Sequence, residues 1–189
     1  GIDLVAVFLF WLVASGVLLG SDCENNRLDE IDEGRMIREN SLGESVELRV
    51  CEYPLTIGPS ASPLITVSLA VEQWNEWLGV DLLLMTDESP MVEVDAGFVG
   101  DYEEGDEAGL AVVDFDDDGC ITHVAVTISS DILYDEDYTA LVLLHETGHA
   151  LSLSDDPGPP ATVDLRSIMS SPLDVLGVLT EHDRRLLLE

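Results

Sequence analysis

A chain of 189 residues with 46% hydrophobic side chains is long and apolar enough for one domain with a sizeable core, which excludes a disordered polypeptide. Its 39 acidic side chains stand against 7 basic ones, all of them Arg, for a formal net charge of -32, a sign that excludes nucleic acid as a partner. Repulsion among so many carboxylates destabilises a compact state unless salt screens it, and molar salt shortens the screening length to roughly 3 Å. The acidic residues are spread along the chain rather than gathered in a tail. They point to a protein adapted to high salt, whose folding strengthens as salt rises.

In chain order, Leu4 to Gly20 form an apolar run without charge, and small residues (Ala14, Ser15, Gly16, Gly20, Ser21) follow its centre. Residues 1–21 therefore read as a signal peptide or a membrane anchor. Either role places the rest of the chain outside the cytoplasm, secreted or anchored facing outward, with the membrane met only through this segment. Residues 22–44 are polar and acidic, as in a linker or a short pro-segment.

From residue 45 to 189 the pattern is that of a folded domain. Val46 to Tyr53 alternates as a first strand, and after a Pro- and Ser-rich loop Leu64 to Leu78 reads as a helix. In that helix Val67, Ala70, Val71, Trp74 and Trp77 fall at helical spacing, so the tryptophans belong to the core. Strands are expected at Val80 to Met85, Met91 to Val99, Leu110 to Phe115 and Ile121 to Ile128. A helix from Tyr138 to Leu151 follows, its start marked by Asp135, Glu136 and Asp137 at the favourable end of the dipole. A loop with Pro157, Gly158, Pro159 and Pro160 leads to a last helix from Thr180 to Leu188. This order describes an α+β domain with a mixed, mostly parallel sheet of about five strands. The chain has three cysteines. Cys51 and Cys120 fall in predicted strands and either bridge or remain buried thiols.

His145, Glu146, Thr147, Gly148 and His149 form an H-E-x-x-H motif within the second helix. Residues i and i+4 share a helix face, so both imidazoles reach a common metal, while Glu146, the next residue round, reaches a water beside it. Catalytic zinc needs neutral nitrogen ligands, an open coordination position and a nearby carboxylate to take a proton. A second acidic motif, Asp114, Asp116, Asp118 and Gly119, has the D-x-D-x-D-G form of half a calcium loop. Ala125 stands where the bidentate Glu of such a loop would be, so an acidic hairpin turn competes with a calcium site. His123 and His182 read as structural or exposed side chains.

The stretch HETGHALSLSD resembles the extended zinc signature of the metzincin peptidases, in which the chain turns after the second His and presents a third ligand. That position is Asp155, with the adjacent Asp156 and, last, His182 as the alternatives. Most metzincins have His there, and snapalysin-like members have Asp. The usual Gly of the turn is replaced by Ser152. Ser167, Ile168, Met169 and Ser170 look like the Met-turn, and LTEHDRRLL from Leu179 to Leu187 is similar to the matrixin closing helix. The resemblance implies a metzincin-like endopeptidase, a monomer with one catalytic zinc on His145, His149 and Asp155 and with Glu146 as general base. It further implies that a polypeptide substrate lies along the sheet edge Leu110 to Phe115 and that Ser170 to Leu173 border a side-chain pocket. The competing readings are an exported acidic module that binds metal without catalysis, and an amidase with a closed pocket. Retention of Glu146 disfavours the first, because a structural metal needs no general base.

Overall fold

The computed structural model describes residues 35–99, 108–155, 166–169, 177–178 and 187. Two short strands, β1 (Ile37–Glu39) and β2 (Ser45–Glu47), pair antiparallel. The main sheet is built from β3 (Leu55–Ile57), β4 (Leu83–Met85), β5 (Val92–Gly97), β6 (Gly109–Phe115) and β7 (Ile121–Ser129), in the order β4-β3-β5-β7-β6. Neighbours are parallel except at the edge, where β6 runs antiparallel to β7. Helix α1 (Val67–Leu78) connects β3 to β4, and α2 (Glu136–Ala150) follows β7. A final pair, β8 (Arg166–Ser167) and β9 (Gly177–Val178), is parallel. The expected α+β class with a mixed, mostly parallel five-stranded sheet is therefore present.

The core lies between sheet and helices. Ile57, Val92, Val94, Val124, Val126 and Ile128 supply the sheet side, alternating along their strands as a half-buried sheet requires. Val67, Ala70, Val71, Trp74 and Leu78 face them from α1, which ends at Gly79 in a left-handed conformation (φ 73°). Trp74 is fully buried, its Nε1 donates to the Leu144 carbonyl of α2 (3.2 Å), and Trp77 meets its ring edge-on. Asn75 fastens α1 to β4: its Oδ1 accepts from Leu82 and Leu83 N–H and its Nδ2 donates to Leu83 O.

The amino-terminal part of the domain differs from the sequence expectation. Val46 to Tyr53 does alternate, with Leu48 and Val50 buried, but only Ser45–Glu47 is strand, and it pairs with β1 outside the main sheet. Its continuation bonds to the β6–β7 hairpin through Arg49 and Cys120. The sheet strand is β3, in the Pro- and Ser-rich stretch, where three residues are too few to carry a readable period. β1 itself falls within 22–44, the stretch read as linker or pro-segment. The apolar run at residues 4–20, the Pro157–Pro160 loop and nearly all of the closing helix lie outside the described residues. Leu187 from that helix is helical and packs against the core. Among the described residues no helix is long and apolar enough to cross a membrane.

Cys51 and Cys120 form a disulfide across a sequence separation of 69. Closing a loop of that size in the unfolded chain stabilises the fold by about 4 kcal/mol in the chain-entropy account.

Candidate metal centre

Helix α2 is buried along most of its length, from Val142 through Ala150 without an exposed residue. It packs against β6, β7 and α1. Asp135 caps its start, accepting from Tyr138 N–H (3.0 Å), with Glu136 and Asp137 in the first turn. The helix begins one turn's fraction earlier than periodicity suggests because the cap sets the boundary.

The end of α2 builds the site. Ser152 N–H donates to His149 O and Leu153 N–H to Gly148 O, the paired bonds of a Schellman reversal with Ser152 at its left-handed position (φ 73°). Ser152 thus adopts the conformation that Gly would take there, at a cost of about 1–2 kcal/mol for a residue with a Cβ. Replacing Ser152 by Gly is expected to raise stability by about 1 kcal/mol, read as a higher midpoint in denaturant at unchanged slope. A lower midpoint would mean that the buried Ser152 side chain contributes more than its backbone costs.

This reversal does two things. It returns the Leu153 carbonyl to His149, whose Nδ1 lies 2.8 Å from it, and it brings Asp155 back over the helix end. The Ile168 carbonyl meets His145 Nδ1 in the same way, also at 2.8 Å. A carbonyl only accepts, so each Nδ1 carries a proton, and each imidazole when neutral presents its lone pair at Nε2. Both Nε2 atoms converge on Asp155 Oδ1, at 3.2 Å from His145 and 3.6 Å from His149. Among the described residues this is the group of His, Cys, Asp or Glu side chains whose ligand atoms gather closely enough to hold a metal ion.

A metal fits these residues for a reason visible in the protein itself. His149 Nε2 is buried and has no hydrogen-bond partner, a costly state for a polar atom unless something is bound to it. Glu146 is buried beside the histidine face of the helix, and the position of its carboxylate depends on Gly109 at the start of β6. A Cβ on Gly109 would stand 2.6 Å from Glu146 Oε1 and 2.7 Å from Val142 Cγ1. Gly148 is required for a similar reason: a Cβ there would collide with Met169 Sδ, which lies buried beneath the helix. Ile168 and Met169 of the Met-turn-like stretch therefore do different work, one orienting an imidazole and the other supporting the helix.

The metal-free charges are unequal. Burial depresses His145, but the hydrogen bond it donates to Asp155, the charges of Glu146 and Asp155 and the Ile168 carbonyl outweigh it and raise its pKa to about 9. His149 is lowered to about 4, by burial first and then by the neighbouring His145 charge, against the pull of Asp155 and the Leu153 carbonyl.

Other sequence candidates fall elsewhere. Asp114, Asp116 and Asp118 do not gather as a ligand set among the described residues. Asp116 instead closes the β6–β7 hairpin, its Oδ1 accepting from Asp118 and Cys120 N–H, and Gly119 is left-handed (φ 81°) against the Glu47 carbonyl. Of the two sequence readings, the acidic hairpin has its turn contacts in the structure, with Asp116 Oδ1 taken by two backbone N–H groups. His123 lies partly exposed between Asp114 and Glu93, at 3.6 and 3.9 Å. Asp156, His182 and Ser170–Leu173 lie outside the described residues. Three contributors had no signal in the sequence reading: Gly109, the Leu153 carbonyl and Arg38, whose charge acts on Asp155 and His149. No family model and no curated protein matches this sequence.

Proposed function

We propose that the protein is an exported zinc-dependent endopeptidase of the metzincin type. The carrying observation is that one buried helix turn and the reversal after it aim two imidazole Nε2 atoms and a carboxylate at a single point, with Glu146 buried beside them. His145, His149 and Asp155 would hold the zinc, which would supply Lewis acidity toward a peptide carbonyl and make water at the site acidic at neutral pH. Glu146 takes the proton from the attacking water and returns it to the leaving amide nitrogen. The edge strand β6 starts against Glu146, so a substrate aligned on that edge by backbone hydrogen bonds passes the general base. The Cys51–Cys120 disulfide supports an oxidising compartment, and the charge of -32 supports one of high salt.

The decisive experiment is hydrolysis of an unstructured protein such as casein by the zinc-loaded chain, lost on chelation and restored by zinc. Tight zinc binding without proteolysis would leave the non-catalytic metal-binding module. Neither binding nor proteolysis would remove both readings.

The raised His145 and lowered His149 also set a pH dependence. At pH 7.5 the metal-free site holds a proton on His145 and none on His149, so zinc binding should release about one proton from its ligands. Affinity should rise with pH up to about 9 and level there. In stability the signs are opposite. The His145 contribution is full below the unfolded value near 6.5 and is lost as pH rises through about 9. His149 stays neutral when folded, so stability falls as pH drops from about 6.5 toward about 4. Calorimetric zinc titrations in buffers of different ionisation enthalpy count the proton, and an uptake or a null result contradicts the assignment.

A further inference from the structure

The turn that carries the chain from α2 toward Asp155 is bonded from outside the helix as well as from within it. Met36 N–H donates to the Ser152 carbonyl (3.1 Å), and Arg35 and Leu153 face each other as an antiparallel bridge. Met36 is buried and belongs to the core with Leu151 and Leu153. Its own carbonyl accepts from Leu48 N–H (2.8 Å) beside the β1–β2 pairing, and Arg35 forms an ion pair with Glu47 of β2 (3.3 Å). The chain beyond β2 is fixed in turn to the main sheet: Arg49 N–H donates to Gly119 O, Ile121 N–H donates to Arg49 O, and Cys51 is bridged to Cys120. A path of backbone bonds therefore runs from the β6–β7 hairpin through Leu48 and Met36 to the turn.

We propose that Met36 is a positioning residue for the metal site, its N–H clamping Ser152 so that the Leu153 carbonyl stays on His149 and Asp155 returns to the two imidazoles. The inference rests on the metal-binding reading above. Within the reversal itself, two bonds close the turn around a left-handed Ser152, a conformation that a residue with a Cβ adopts at a cost. Such a turn opens locally unless a contact from elsewhere holds it. Met36 supplies that contact one residue before the carbonyl that meets His149 Nδ1, and three before Asp155. Groups that orient a ligand in this way contribute to metal affinity without touching the ion. Met36 lies within residues 22–44, so a cleavage that removed this stretch as a pro-segment would remove the clamp, and processing that spares the site cuts before Arg35.

The test joins native-state hydrogen exchange with zinc affinity, measured on the full chain by competition with a chromophoric chelator, in the wild type, Met36→Pro, Met36→Leu and Asn75→Ala. Proline removes the N–H that Ser152 accepts. Met36→Pro should bind zinc about 10–100-fold more weakly, the range found when a group that orients a ligand is lost. Its Ser152 and Leu153 amides should exchange at least about tenfold faster, and the visible spectrum of its cobalt-loaded form should change as displaced ligands require. Met36→Leu keeps the donor and nearly the same volume and should bind as the wild type does. Asn75→Ala unfastens α1 from β4, at the sheet edge opposite β6, and should lower stability without changing zinc affinity or the cobalt spectrum. A folded Met36→Pro with wild-type zinc affinity overturns the proposal. If that variant does not fold, exchange in the metal-free wild type decides. Equal protection at Met36, Ser152 and Leu153 supports the clamp, whereas a Met36 amide that exchanges about tenfold faster than Leu153 means that the turn stays closed without it and overturns the proposal. A wild type that binds no zinc removes the metal reading itself, so the two failures are distinguishable.

Discussion

Glu146→Ala is expected to lower kcat of the zinc-loaded protein by about 10²–10⁴-fold while the metal remains bound. Glu146 lies one residue past His145, so its side chain leaves the helix about 100° round from the ligand face and is not needed to hold the ion. Its burial against Gly109 makes the carboxylate well placed, since its position is limited by the backbone of β6 rather than by solvent. A group acting in proton transfer is missed in the transition state far more than in substrate binding, so KM should change little. Glu146→Gln is the stricter companion because it preserves volume in a closely packed place. Zinc content by chelator competition and turnover on the same samples decide the case. Turnover near wild type in either variant, with zinc bound, would remove Glu146 from the mechanism.

Asp155→Ala should weaken zinc binding by more than about 100-fold, beyond the effect of losing a residue that merely orients a ligand. The Asp155 Oδ1 is the point on which both Nε2 atoms converge, and Ala leaves two nitrogens where three donors stood. Asp155→His should retain a working site, since an imidazole can replace the carboxylate as third donor. A proton count separates loss of a ligand from general damage. Asp155 helps raise His145, so without it the imidazole is less protonated and zinc should release less than one proton at pH 7.5. Asp156→Ala and His182→Ala should be mild. A severe loss confined to either of those two would move the third ligand away from Asp155.

The parts of this protein that local periodicity controls were legible. The spacing of His145 and His149 on a helix, the acidic start at Asp135 to Asp137, and the core faces of α1 and β7 all follow from interactions within a few residues along the chain. The place of Asp155 was reached through resemblance, and the geometry brings that residue to the histidines. The Cys51–Cys120 pairing was open in the sequence because two strands' positions do not say which face each other. Non-local contacts decided the rest. β1 and β3 are three residues each, too few to carry a pattern; β1 pairs with β2 across a short turn, and β3 owes its place to β4 and β5 farther along the chain. That Asp116 closes the β6–β7 turn depended on where its oxygen met backbone N–H groups. Ser152 stands where the resembling turn has Gly, which left open a left-handed backbone or a different turn; the two bonds back to α2 fix the left-handed one. The chain by itself determined which residue types stand one helical turn apart. Only the tertiary structure, through the Ile168 and Leu153 carbonyls, decided which nitrogen each histidine presents, because a tautomer is set by the partner that the fold brings to it.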